Sequence, residues 1–179
     1  ANWESGTRQD ISVSFEQQIA TCETLIKDHH GSEGGRLNIC MLSPTLRAEH
    51  LESAAKSEKE EMVRQAQIAS RIARENGLVF TQDGHKTGTV QFAKDHLGIL
   101  GPEALLSHST DFTDEEIAIC ADFDVKIAHN ASAVGSVLGR CRAIELMDAG
   151  VTVGIGSDAT APDRSGDMFR HIQQAMHYH

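Results

Sequence analysis

The stretch Leu146-Met147-Asp148-Ala149-Gly150-Val151-Thr152-Val153-Gly154-Ile155-Gly156-Ser157-Asp158 carries a helix end, its cap, a strand and a polar terminus in one pass. Residues 140–149 have helical character, and Gly150 suits the left-handed position that closes a helix. Residues 151–156 are short, apolar and bounded by turn signals, which predicts a buried strand. The strand runs straight into Ser157-Asp158. Working outward, the same unit recurs. A capping box of Thr113 with Glu116 opens a helix through Phe123, and the strand at 125–128 then ends at His129-Asn130. Residues 104–107 form a strand that ends at His108, preceded by a helix over 90–97 and a turn at 98–102. The run 78–81 ends at Gln82-Asp83-Gly84-His85 and follows a helix in two pieces, 48–55 and 57–76, closed by Asn76-Gly77. Residues 36–42 predict one more strand, ending at Ser43-Pro44. A first helix is opened by Ser14 with Gln17, stops at His29-His30-Gly31, and is followed by a glycine-rich loop over 31–35. A last helix is expected from about residue 166. Strands that alternate strictly with helices pair in parallel, so the fold class is α/β, either a doubly wound open sheet or a (β/α)8 barrel.

Composition narrows the partners. The chain has 179 residues, with 16 Lys and Arg against 26 Asp and Glu, a net charge of −10. That balance argues against a nucleic-acid polymer, which needs clustered basic side chains. With 40% hydrophobic and 23% charged residues the sequence reads as one globular domain over 1–179. No run reaches the roughly 20 apolar residues of a membrane span, and Ala1-Asn2-Trp3-Glu4 lacks the basic and apolar regions of a leader. A cytoplasmic protein with a small-molecule substrate is the expectation, with a homo-oligomer left open. Cys22, Cys40, Cys120 and Cys141 are widely spaced and read as buried free thiols.

The chemistry sits at strand ends. In parallel β/α folds the C-terminal ends of the strands share one face, and ligands bind there. Gln82, Asp83, His85, His108, His129 and Asp158 should therefore converge. Imidazole with carboxylate suits zinc, or iron, holding a water whose pKa the metal lowers. The competing motif Gly154-Ile155-Gly156-Ser157-Asp158-Ala159 fits a dinucleotide-binding turn, yet Pro162 interrupts the helix that should follow it. No G-x-S-x-G, G-x-x-x-x-G-K-[ST] or His-Glu-x-x-His occurs, which removes serine-hydrolase, phosphate-loop and zinc-helix protease readings.

Four segments together carry a family resemblance: Leu105-Leu106-Ser107-His108, Lys126-Ile127-Ala128-His129-Asn130-Ala131-Ser132, the 146–158 stretch, and Gly166-Asp167-Met168-Phe169. From about residue 37 onward the sequence resembles the C-terminal part of a metal-dependent amidohydrolase. It is most similar to the branch of cytosine, guanine and adenosine-type deaminases and triazine chlorohydrolases. The resemblance implies a TIM-type (β/α)8 barrel, of which this chain would supply about strands four to eight. It implies metal-assisted hydrolysis of a carbon–nitrogen bond in a small cyclic or amide compound. Carried over, His108 matches the sixth-strand histidine that polarises the water or binds metal. Asp158 matches the eighth-strand aspartate, a ligand and proton acceptor. His129 and Asn130 match a substrate-lining segment, with Ala131 in place of its proline. The fifth-strand histidine should fall near Thr81 or Gln82; His85 is the candidate substitute ligand, with Gln82 left to the substrate. No His-x-His of a first strand is present among strand-like segments; His177-Tyr178-His179 belongs on a helix. A barrel typically needs about 250 residues, so the alternative is a catalytically incomplete barrel fragment acting as a binding module. A nucleotide-binding domain is the lesser alternative. The enzyme reading requires His108 and Asp158 within reach of one metal.

Overall fold

The computed structural model describes residues 13–133, 139–158 and 166–179. Five strands, β1 (Cys40–Leu42), β2 (Val79–Gln82), β3 (Ala104–Ser107), β4 (Lys126–His129) and β5 (Thr152–Ile155), form one sheet in the order β1-β2-β3-β4-β5. Every neighbouring pair is parallel. A doubly wound sheet reverses its strand order at a switch point; this sheet never does, which excludes the dinucleotide-binding topology. Parallel crossovers are almost always right-handed, so an unreversed order lays successive helices on the same face, as in a barrel wall.

Burial agrees with that winding. The register aligns Gln82, Leu106, Ile127 and Val153 across the sheet, with Met41, Phe80 and Ala104 on the same face. Met41, Phe80, Leu106 and Ile127 are buried in one cluster with Ala69, Ile72, Ile117, Cys120 and Leu146 from the helices. Each such side chain withdrawn from water contributes about 1.5–3 kcal/mol. Residues that alternate with them, including Cys40, Leu42, Val79 and Thr152, are exposed. Cys40 is accordingly on the surface and Cys22 half-buried, while Cys120 and Cys141 are buried; all four thiols are free. The expectation of four buried thiols fails for Cys40, which alternates to the exposed face of β1, and in part for Cys22, which packs half-buried against the core from the first helix.

The helices start where their caps predict. Ser14 and Gln17 cap Phe15–His29, and Thr113 and Glu116 cap Asp114–Asp122, each with both reciprocal bonds. Lys56–Asn76 ends on Gly77 at φ 65°. Three elements depart most from the sequence reading. The first strand is only Cys40–Leu42, because Leu37 pairs backward: Gly31 N–H donates to Leu37 O at 2.9 Å. The helix expected from 140 begins at Ala143, because Arg140 and Cys141 are held by the loop after β3. There Asp111 N–H donates to Arg140 O at 2.7 Å, and Thr110 bridges Cys141. The helix over 90–97 becomes Thr89–Phe92 followed by a wider turn, Ala93–Leu97. Among the described residues no helix is long and apolar enough to cross a membrane.

Candidate active site

The backbone is bent where the strands end. His108 and Ser109, directly after β3, have φ of 65° and 54°, and Asp158, after β5, has φ of 51°. Left-handed backbone costs a non-glycine residue about 1–2 kcal/mol, and such outliers concentrate at functional sites. The bend at β3 is fixed by His108 N–H donating to Ala128 O at 3.1 Å and Ser109 N–H to Ser107 O at 2.9 Å. It swings the His108 imidazole between two carboxylates. His108 Nε2 lies 3.1 Å from Asp83 Oδ1 and 3.6 Å from Asp158 Oδ2. The ring is buried, at 6% exposure, whereas Asp158 is 32% and Asp83 74% exposed. Ser107 Oγ donates to Asp83 Oδ1 from the side. Among the described residues the buried His108 Nδ1 has no hydrogen-bond partner.

The loop after β2 is built differently. Gln82 is buried, and its amide donates to Pro44 O at 3.0 Å. His85, also buried, has Nδ1 2.9 Å from Thr89 Oγ1 and Nε2 3.3 Å from Gln82 Oε1. Both ring nitrogens are therefore engaged within the loop. Burial, and then the nearby Arg47 charge, push its pKa down to about 3, so the ring is neutral. Thr45 Oγ1 donates to Asp83 O at 2.6 Å and Arg47 Nη2 to Gly84 O at 3.0 Å. These bonds brace the segment that presents Asp83.

At β4, His129 and Asn130 are buried. Gly156 N–H donates to His129 O at 3.0 Å, tying the ends of β4 and β5. A Cβ on Gly156 would overlap Asn130 Oδ1, so the glycine is there for a close approach. His129 Nε2 faces His179 Nε2 at 3.2 Å, and burial, then the second ring, lower the His129 pKa to about 4.

The structure thus brings His108 and Asp158 together, as the enzyme reading requires, and sets His129 and Asn130 at the next strand end. Gln82 and His85 instead partner each other. Asp83 stood among the strand-end residues without a role; its place beside His108 depends on the loop course between Gln82 and His85. His179 had no signal at all, since nothing in a helical His-Tyr-His points to a strand end. Ligands of one zinc, at about 2.0–2.2 Å from the metal, lie about 3.3–3.5 Å from each other. The His108–Asp158 spacing and the mixed nitrogen and oxygen donors fit two neighbouring positions round such an ion. Among the described residues no three His, Cys, Asp or Glu side chains gather into a metal cage.

No family model matches the chain. It is 29% identical over 163 residues to a 5'-deoxyadenosine deaminase of Methanothermobacter thermautotrophicus, covering 88% of this chain and 37% of that enzyme. The relatives of this sequence are deaminases. The fold is shared with an amidohydrolase from an environmental sample of the Sargasso Sea, at TM-score 0.69 and 24% identity over 93% of this chain and 38% of the other. It is shared also with an adenosine deaminase of Xanthomonas campestris with bound zinc, at TM-score 0.67 and 18% identity over 89% and 36% of the two chains. The chain spans a little over a third of the length of each. The amidohydrolase resemblance drawn from the strand-end motifs holds at the level of fold and of the relatives' names.

Proposed function

We propose that the protein is a metal-dependent amidohydrolase that deaminates adenine nucleosides, and that this chain supplies strands four to eight of its barrel. The observation that carries the reading is the His108–Asp158 pair, 3.6 Å apart at the ends of β3 and β5. The names of the relatives supply the substrate class: a 5'-deoxyadenosine deaminase and an adenosine deaminase. His108 and Asp158 are the residues that would hold a zinc or iron ion, which when bound lowers the pKa of a water.

The net reaction exchanges the exocyclic amino group of the ring for the oxygen of water, releasing ammonia. Asp158, a third exposed on the solvent side of the pair, accepts the water's proton and returns it to the departing nitrogen. His108, buried and fixed by the β3 bend, orients the attacking oxygen. Its immobility matters, because positioning of reacting groups supplies a large share of a barrier reduction. His129 and Asn130 line the pocket for the ring. Thr45, through Asp83 O, and Ser107, through Asp83 Oδ1, hold Asp83 beside His108.

The test is ammonia release from 5'-deoxyadenosine and adenosine by the zinc-supplemented protein. Turnover that disappears in both His108→Asn and Asp158→Asn supports the reading. Turnover unaffected by either substitution, or none on any adenine nucleoside, overturns it.

A further inference from the structure

A second pair of facing side chains joins the end of β4, the strand between β3 and β5, to the final helix. His179 follows the Met168–Tyr178 helix and is exposed, while His129 ends β4 and is buried. Their Nε2 atoms are 3.2 Å apart, their ring centroids 5.1 Å apart and their planes inclined at 65°. Two imidazoles bound to one ion at about 2.1 Å, with nitrogens this close, have centroids about 5 Å apart. A straight N–H···N bond of the same length would separate them by about 5.5 Å. The ring axes are therefore not collinear, and the spacing is close to that of two imidazoles sharing one ion.

The surroundings leave those nitrogens available. Among the described residues His129 Nδ1 is buried without a hydrogen-bond partner, so none of them fixes the proton on Nε2. Two opposite charges reach His179, Arg140 and then Glu145, and they are paired with each other, Glu145 also with Arg142. The donor set offered by the side chains is therefore two imidazoles. Imidazole pairs prefer late first-row divalent ions, with affinity rising toward copper. We infer that His129 and His179 form a binding site for zinc, nickel or copper(II), with water in the remaining positions. The site would join the final helix to the end of β4, whose next residue is Asn130.

Copper(II) binding followed by electron paramagnetic resonance tests this without reference to deamination. The measurement is made in the His108→Asn protein, so that the β3–β5 pair is silent; asparagine tolerates the left-handed backbone at that position. That protein should bind copper with hyperfine coupling to two imidazole nitrogens. Adding His179→Gln, at an exposed residue, should weaken binding at least tenfold and remove the two-nitrogen pattern. His177→Gln in the same background should change neither. Binding within twofold after His179→Gln, or loss of the pattern with His177→Gln, overturns the assignment. Because no turnover is read, failure of the deaminase reading would leave this result standing, and the reverse holds as well.

Discussion

The His108 ring stands 3.6 Å from the Asp158 carboxylate, although the two come from β3 and β5, strands separated by β4. Only the sheet makes them neighbours. The Asp158 side chain is a third exposed and its backbone is left-handed, φ 51°. Asparagine is nearly isosteric and tolerates that backbone, so Asp158→Asn removes the charge and the proton acceptor while keeping the turn. The expected outcome is a fall of about 10²–10⁴ in kcat/KM on adenine nucleosides, with a thermal midpoint within a few degrees of the parent. Ammonia-release kinetics and calorimetry on the same sample check both halves.

Acid should unfold the protein through His85. Its folded pKa is pushed down to about 3 by burial and by Arg47, against about 6.5 in an unfolded chain. Protons therefore bind the unfolded state first. The stability contribution is complete above about pH 6.5 and is lost as pH falls toward the folded value, at a limiting slope of about 1.4 kcal/mol per pH unit. Denaturant titrations between pH 7 and 4 should show this slope. His85→Asn should be less stable at neutral pH and show a shallower decline in the acid range.

How much of this was legible beforehand follows from where the forces act. The five strands and both hydroxyl-led capping boxes depend on local pattern, and residues such as Thr113 and Glu116 announce themselves in sequence. His108 and Asp158 were readable because a polar residue placed directly after an apolar run must emerge on one known face of a parallel sheet. For Gln82 and His85, position showed the strand end but not the partners. Their mutual bond, with Thr89 completing it, depends on a loop that folds back on itself. The late helix start at Ala143 depends on Asp111 and Thr110, contacts distant in sequence. His179 reaches His129 only through the packing of a whole helix against the sheet.

Glu116 is worth more than an ordinary cap. One carboxylate oxygen accepts Thr113 N–H at 3.2 Å, and the other accepts the buried Val90 N–H at 3.2 Å, so a single side chain serves the starts of two helices. Thr113→Ala removes one cap bond and should cost about 1 kcal/mol. Glu116→Ala strands two backbone donors, one of them deep in the core, and should cost about 2–4 kcal/mol. Chemical denaturation of both variants orders them; equal losses would mean that the Val90 bond contributes nothing.

Gly156→Ala separates packing from chemistry at the site. The backbone of Gly156 is not in the left-handed region, so alanine meets no conformational penalty. The added Cβ would instead overlap Asn130 Oδ1, the side chain set beside His129. Asn130 must move, or the β4–β5 ends must part and strain the Gly156 N–H to His129 O bond. Overpacking of this kind costs about 1–3 kcal/mol. If Asn130 lines the ring pocket, the larger change is in substrate binding: KM should rise several-fold while kcat, set by His108 and Asp158 on other contacts, falls less. Asn130→Ala in the same background should then restore stability by vacating the contested space, and leave KM high. A double variant with parental KM would show that Asn130 never touched the substrate.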